Sequence, residues 1–170
     1  TLFRSTNDGT IAGVTGLGVA NAANARIGSL ANNAGATITG NATSLLNAGT
    51  MTSLTNGGTI GTVTNDQGIW NKTGAALGTL TNSRTGTITG NAVAIVNDGT
   101  ITTLGNAGAV SATGLGIANS GTLGDLANSG TIAAGTDALA NSGTIATLVN
   151  SGTMRGERTG LANTGSINTL

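Results

Sequence analysis

The sequence predicts an all-β fold: a right-handed parallel β-helix solenoid of about seven coils, each 22–26 residues long, with an internal Asn ladder. Three observations carry this. First, an aliphatic residue, any residue, then Asn, usually followed by x-Gly-Thr-Ile, recurs from end to end. The Asn of successive units are Asn7, Asn21, Asn32, Asn47, Asn56, Asn71, Asn82, Asn97, Asn106, Asn119, Asn128, Asn141, Asn150 and Asn163. Second, long and short units alternate without exception, and each long-plus-short pair spans 25, 24, 26, 24, 22 and 22 residues in turn. A fixed period in this range marks a solenoid, whose coils bury their core only against their neighbours. Third, apolar residues around each Asn fall at alternate positions, as in Leu126, Asn128, Gly130 and Ile132. Alternation with a period of two is a strand with one buried face.

In the short units the pattern is Ile-x-x-Leu-x-Asn, as in Ile101 to Leu104 and Ile145 to Leu148. The step of three suggests a helix when taken alone. Gly in every unit makes a helix costly, and β-branched Thr and Ile favour strand. The two residues between Ile and Leu read as a corner that reverses parity and keeps both side chains inside. Long units carry four or more extra residues, such as 133–138 ahead of Leu139, which form a third side or a loop. Three strands per turn fit this length. A left-handed β-helix needs triangular hexapeptide repeats, which are absent.

This parity points the Leu, Asn, Gly and Ile of each unit inward and the Ser/Ala/Asp and Thr positions outward. Coils stack about 4.8 Å apart, so like sits on like. An inward Asn is costly alone, but its amide can donate to the Asn above and accept from the Asn below. Asn106, Asn119, Asn128, Asn141 and Asn150 mark the regular stretch of this ladder. A second regularity lies above the first: residues 18–58 match 68–108 at an offset of 50, including Asn21/Asn71, Ile38/Ile88, Asn41/Asn91 and Leu54/Leu104. Two coils read as duplicated in one block. With no linker or composition shift, residues 1–170 read as one domain. Leu170 falls inside a unit and only Leu2 and Phe3 offer a cap, so a fragment of a longer protein is expected.

Composition limits the chemistry. There are 30 Gly, six acidic and six basic residues, and no Pro, Cys or His. Balanced charge argues against a nucleic-acid or anionic-membrane partner. Without Cys there are no disulfides or thiolate metal sites, and no cofactor is expected. No apolar run approaches the ~18 residues of a membrane span. Low charge with abundant Gly, Ser, Asn and Thr also suits disorder, but the regular aliphatic positions oppose it.

No catalytic set is visible. Asp8 and Asp98 follow a ladder Asn and read as solvated surface charge, as does Asp125 in its corner. Asp66, Asp137, Arg155, Glu157 and Arg158 all fall in the extra segments of long units. Those segments stack on one side, giving a polar edge that is either simple loop exposure or a contact strip. The Asp pattern of Gly-rich calcium repeats is missing. Outward Thr columns suit an ordinary solvated strand face better than an ice-binding array. Asn41 and Asn71 match the glycosylation sequon, as two of 20 Asn do by chance. Trp70 precedes a ladder Asn and should point outward, between Leu46 and Val96 in the adjacent turns; later coils have Ala118, Ala140 and Ala162 there. The column Leu46, Trp70, Val96 reads as an interaction patch, or as a patch covered by the insertions after Asn32 and Asn82 or the loop at 66–68.

The runs Leu126-Ala-Asn-Ser-Gly-Thr-Ile132, Leu139-Ala-Asn-Ser-Gly-Thr-Ile145 and Leu148-Val-Asn-Ser-Gly-Thr-Met154 resemble the passenger domains of bacterial autotransporter adhesins. Filamentous-haemagglutinin-type exoproteins carry similar Asn-x-Gly repeats. The resemblance covers the whole chain and is specific for architecture, since the motif is scaffold. It implies secretion through the outer membrane by a C-terminal translocator barrel and display on the bacterial cell surface. It also implies a non-enzymatic adhesin stalk, with host cell surfaces or identical chains as partners. The competing expectation is a carbohydrate-binding or carbohydrate-cleaving β-helix such as a phage tailspike or polysaccharide lyase, which an acidic cleft would favour.

Overall fold

Because the apolar positions recur once per turn and not within a self-contained segment, each coil completes its core only by stacking. The computed structural model describes residues 3–62, 64 and 66–170. Its strands form three parallel sheets of eight, seven and seven strands, each joining strands one turn apart, and the whole is a β-solenoid of about seven turns. A representative turn runs Thr100–Asn106 in sheet A, Ala109–Ala112 in sheet B and Leu115–Asn119 in sheet C. The short units supply sheet A; the long units supply sheets B and C, which makes the three sides unequal.

Register follows composition. In sheet A, Leu54, Leu80, Leu104, Leu126 and Leu148 pair in sequence, as do Met51, Leu77, Ile101, Leu123 and Ile145. In sheet B, Ile88 pairs with Ile60 and Val110; in sheet C, Ile95 pairs with Ile69 and Ile117. These aliphatic columns meet at the centre and are fully buried.

The expected corner between Ile and Leu takes another form. Both residues lie in one seven-residue strand, whose pairing passes from Leu77↔Ile101 directly to Thr79↔Thr103 and skips Gly78 against Thr102. A one-residue irregularity in the ladder is enough to reverse side-chain parity, so no break between sheets is needed. Sheet C repeats the device, passing from Val93↔Leu115 to Ile95↔Ile117.

The Asn positions form two ladders, one at the ends of the first seven sheet A strands and one at the ends of the seven sheet C strands. The first runs Asn7, Asn32, Asn56, Asn82, Asn106, Asn128, Asn150, with each Nδ2 donating to the next Oδ1 at 2.7–2.9 Å. The second runs Asn21, Asn47, Asn71, Asn97, Asn119, Asn141, Asn163, at 2.7–2.8 Å. Each amide below the last rung of its ladder also donates to a backbone carbonyl of the next turn, as Asn106 does to Thr131 O at 3.1 Å, whereas Asn150 and Asn163 donate to Gly152 O and Gly165 O of their own turn. Interior rungs such as Asn106, Asn119, Asn128 and Asn141 are buried. Asn150 is exposed, because no further ladder Asn stacks on it.

The Gly of Asn-x-Gly is set by the same stacking. A Cβ on Gly130 would lie 2.2 Å from Gly108 O, and one on Gly121 would lie 2.1 Å from Gly99 O, in each case the coil beneath. Only a residue without Cβ lets successive backbones close to the sheet spacing here. The duplicated block is visible as paired turns. The turns at 22–25 and 33–36 recur at 72–75 and 83–86, each closed by a backbone bond across three residues. Asn24, Gly35 and Gly74 hold the positive-φ position in three of them. Leu2 lies outside the described residues, and the Phe3 side chain is exposed instead of lying over the first coil.

Candidate functional site

The outward column on sheet C is in register as the sequence predicts: Leu46 pairs with Trp70, Trp70 with Val96, and Val96 with Ala118. All three apolar residues are half-buried, on the outer wall and not in the core. Trp70 is fixed by its neighbours. Its indole Nε1 donates to Asp98 Oδ2 at 2.8 Å, and Lys72 Nζ lies 5.0 Å from the ring centroid. The other Asp98 oxygen accepts from Ser120 Oγ at 2.6 Å. Asp98, expected to be freely solvated, is therefore a half-buried tie between three successive turns. The insertions after Asn32 and Asn82 follow sheet A strands and turn into sheet B, so they do not reach this column. Of residues 66–68, Gln67 and Gly68 belong to the strand Gln67–Asn71 that carries Trp70 itself, so they do not fold over it. Among the described residues, Asp98 and Lys72 lie against its indole.

Above Val96 the wall changes from bulky side chains to Ala118, Ala140 and Ala162, and this step leaves an open groove of about 330 Å³. Ser120, Ser142 and Thr164 line one side; Leu115, Asp137 and Arg158 line the other. Asp137 opens the strand Asp137–Asn141, and Arg158 lies in the turn one coil later. Arg158 binds Asp137 with two nitrogens: Nε donates to Oδ1 at 2.9 Å and Nη2 donates to Oδ2. Thr159 Oγ1 adds a bond to Asp137 Oδ1 at 2.6 Å. The Arg158 hydrogen bond, then that of Thr159, lowers the Asp137 carboxyl from 3.8 to about 2, and the same contact raises Arg158. The carboxylate is 1% exposed, whereas the guanidinium remains 70% exposed and keeps N–H groups directed to solvent.

The rest of the predicted polar edge is dispersed. Arg155 belongs to the strand Thr153–Gly156 of sheet B, and with Glu157 lines a separate shallow depression. Asp66 is exposed on the same corner as Arg158 but four turns away, with Ala92, Gly114 and Thr136 at the intervening levels, roughly 19 Å along the axis. The edge thus brings together Asp137 and Arg158, not the full set. Asp125 is exposed on sheet A. Asn71 is a buried ladder rung, so its sequon presents no amide for modification; Asn41 is exposed in a turn.

Two features escaped the sequence reading, the Asp137–Arg158 pair and the Asp98 tie to Trp70. Both signals were there: partners 21 and 28 residues apart are nearly one turn removed, hence neighbours on a stacked wall. Chemically, both acids are fasteners. Asp137 is ionised at ordinary pH and meets three donors, which leaves it no proton to give. Among the described residues, no group of three or more His, Cys, Asp or Glu converges. Comparison with protein-family models, with curated proteins and with solved structures finds no match to this chain.

Proposed function

We propose that this chain is part of a non-enzymatic adhesin, a rigid stalk displayed outside a bacterial cell that makes contact through a lateral face. The observation that carries the reading is the outer wall of sheet C. There a fixed aromatic, in an outward column with Leu46 and Val96, adjoins a groove floored by Ala118, Ala140 and Ala162. Two unbroken Asn ladders support the stalk role, because a rod in which each rung bonds the next has no hinge at which to fold over. The display site outside the cell rests on the resemblance of the Asn-Ser-Gly-Thr runs to autotransporter passengers. Asp137 does not suit the acid of a carbohydrate-cleaving site, since a glycosidase acid needs a raised carboxyl and this one is lowered and paired with Arg158. The test is to display the chain on a non-adherent bacterium and to measure attachment to cultured cells and clumping of the bacteria. Attachment or clumping above the empty-display control is expected; neither rising above it refutes the reading.

A further inference from the structure

We infer that the sheet C groove, at whose foot lies Asp98, the carboxylate that anchors Trp70, is a binding site for a neutral glycan chain. The inference rests on the lateral-contact reading above and names the chemical class that this face recognises.

The duplicated block provides the first argument. Positions 50 residues before Trp70, Lys72 and Asp98 hold Ala20, Ala22 and Ala48. The earlier copy builds the same strands, turns and ladder rungs with Ala at all three positions. The cluster is therefore not something the coil needs in order to form. It is an addition to the wall: a large aromatic held in one orientation by a carboxylate and faced by an ammonium.

The second argument is what the groove offers. Its floor is three successive Ala, spanning roughly 10 Å along the axis. Hydroxyls of Ser120, Ser142 and Thr164 repeat once per turn along one side, and the exposed donors of Arg158 stand on the other. The volume is at the low end of small-ligand clefts, roughly 300–1,000 Å³. The floor is a sheet face whose backbone groups already bond to the turns above and below, so an extended peptide gains no main-chain pairing there. Recognition must come from side chains. The charged groups of its lining are Asp98, Asp137 and Arg158, an excess of one carboxylate, which disfavours a sulfated or sialylated ligand. Hydroxyl-rich walls and a small apolar floor suit a sugar ring, which presents polar edges and an apolar C–H face.

Trp70 is the only Trp, and its Nε1 donates to Asp98 of the groove lining, so its fluorescence reports a change at the foot of the groove. The probes are neutral galactosyl, mannosyl and N-acetylglucosaminyl oligosaccharides, with sulfated and sialylated counterparts, on an array and then in fluorescence titration. Neutral oligosaccharides should bind and shift the Trp70 emission. Ala140→Phe, which fills the floor, should weaken that binding at least tenfold, and Ser142→Ala should weaken it several-fold. Ala133→Phe on the outer side of sheet B serves as control, with unfolding curves confirming that each variant is folded. Binding confined to the charged probes overturns the inference, as does wild-type binding by Ala140→Phe. If no oligosaccharide binds while the displayed chain still attaches to cells, the glycan site fails and the adhesin reading stands. Clumping that Ala140→Phe abolishes without any glycan binding overturns the inference in favour of an interface between copies.

Discussion

The ladder makes a prediction whose size follows from the bonds around one rung. Asn106 is 2% exposed; it accepts from Asn82 Nδ2 at 2.8 Å and donates to Asn128 Oδ1 at 2.8 Å and Thr131 O at 3.1 Å. Asn106→Ala removes these contacts and leaves two dissimilar neighbours. Asn82 keeps its bonds to Gly86 O and Ala109 O, so its amide stays largely satisfied. Asn128 Oδ1 loses the donor that it receives from Asn106, and Asn128 is only 1% exposed. A stranded buried acceptor costs about 1–3 kcal/mol and each lost neutral bond about 1 kcal/mol net, so a total of about 2–4 kcal/mol is expected. Asn150→Ala deletes only one ladder bond at an exposed rung, where water can serve Asn128, and should cost about 0.5–1.5 kcal/mol. Urea unfolding followed by circular dichroism compares the two, with several probes to check for a single cooperative transition. Equal costs at Asn106 and Asn150 would refute the argument that burial makes the rung expensive.

Other expectations follow from named contacts. Asn106→Asp can donate to Asn128 only when protonated, so its folded pKa should rise; stability should then be greatest at low pH and fall as pH climbs through that raised value, read from unfolding midpoints against pH. For Asp137 the sign is opposite. Its folded pKa is depressed from 3.8 to about 2, so the pair's contribution is fully present above pH about 4 and is lost as pH falls towards 2; Arg158→Gln should abolish this acid-dependent component. Gly130→Ala places a methyl 2.2 Å from a backbone oxygen and should cost more than about 3 kcal/mol, whereas Gly105→Ala meets nothing within 4 Å and should gain about 0.5–1 kcal/mol in the same urea assay. Trp70→Ser should lower stability by about 1–2 kcal/mol and leave the far-ultraviolet spectrum unchanged, because Ala20 already serves at the matching position.

Most of the fold was legible because a solenoid repeats its instructions. One Asn says little, but fourteen at alternating intervals set the turn length, the register and the inward face together. The outward place of Trp70 followed from counting parity along Ile69, Trp70 and Asn71. What escaped was local and depended on distances between turns. The kink at Gly78 and Thr102 is one skipped pairing inside a strand, and a spacing of three residues cannot tell it from a corner. The division of the Asn into two columns depends on which sheet each unit closes. Asp98 looked like ordinary surface charge because its partners, Trp70 and Ser120, lie a turn away on either side. Such contacts become readable only after the chain is wound at its own period.

The ladders also give the rod a sense. Every ladder amide donates toward the C-terminal side, so wherever the stack is divided, one cut face presents Nδ2 hydrogens and the other presents Oδ1 atoms. Two cut faces of the same kind brought together by a two-fold axis set acceptor against acceptor, or donor against donor, in both columns. Faces of opposite kind complete each other, as they do within the chain. Joining through the coil faces is therefore head-to-tail, the heterologous arrangement that propagates without closing. Two-fold pairing of such rods is left to their lateral walls.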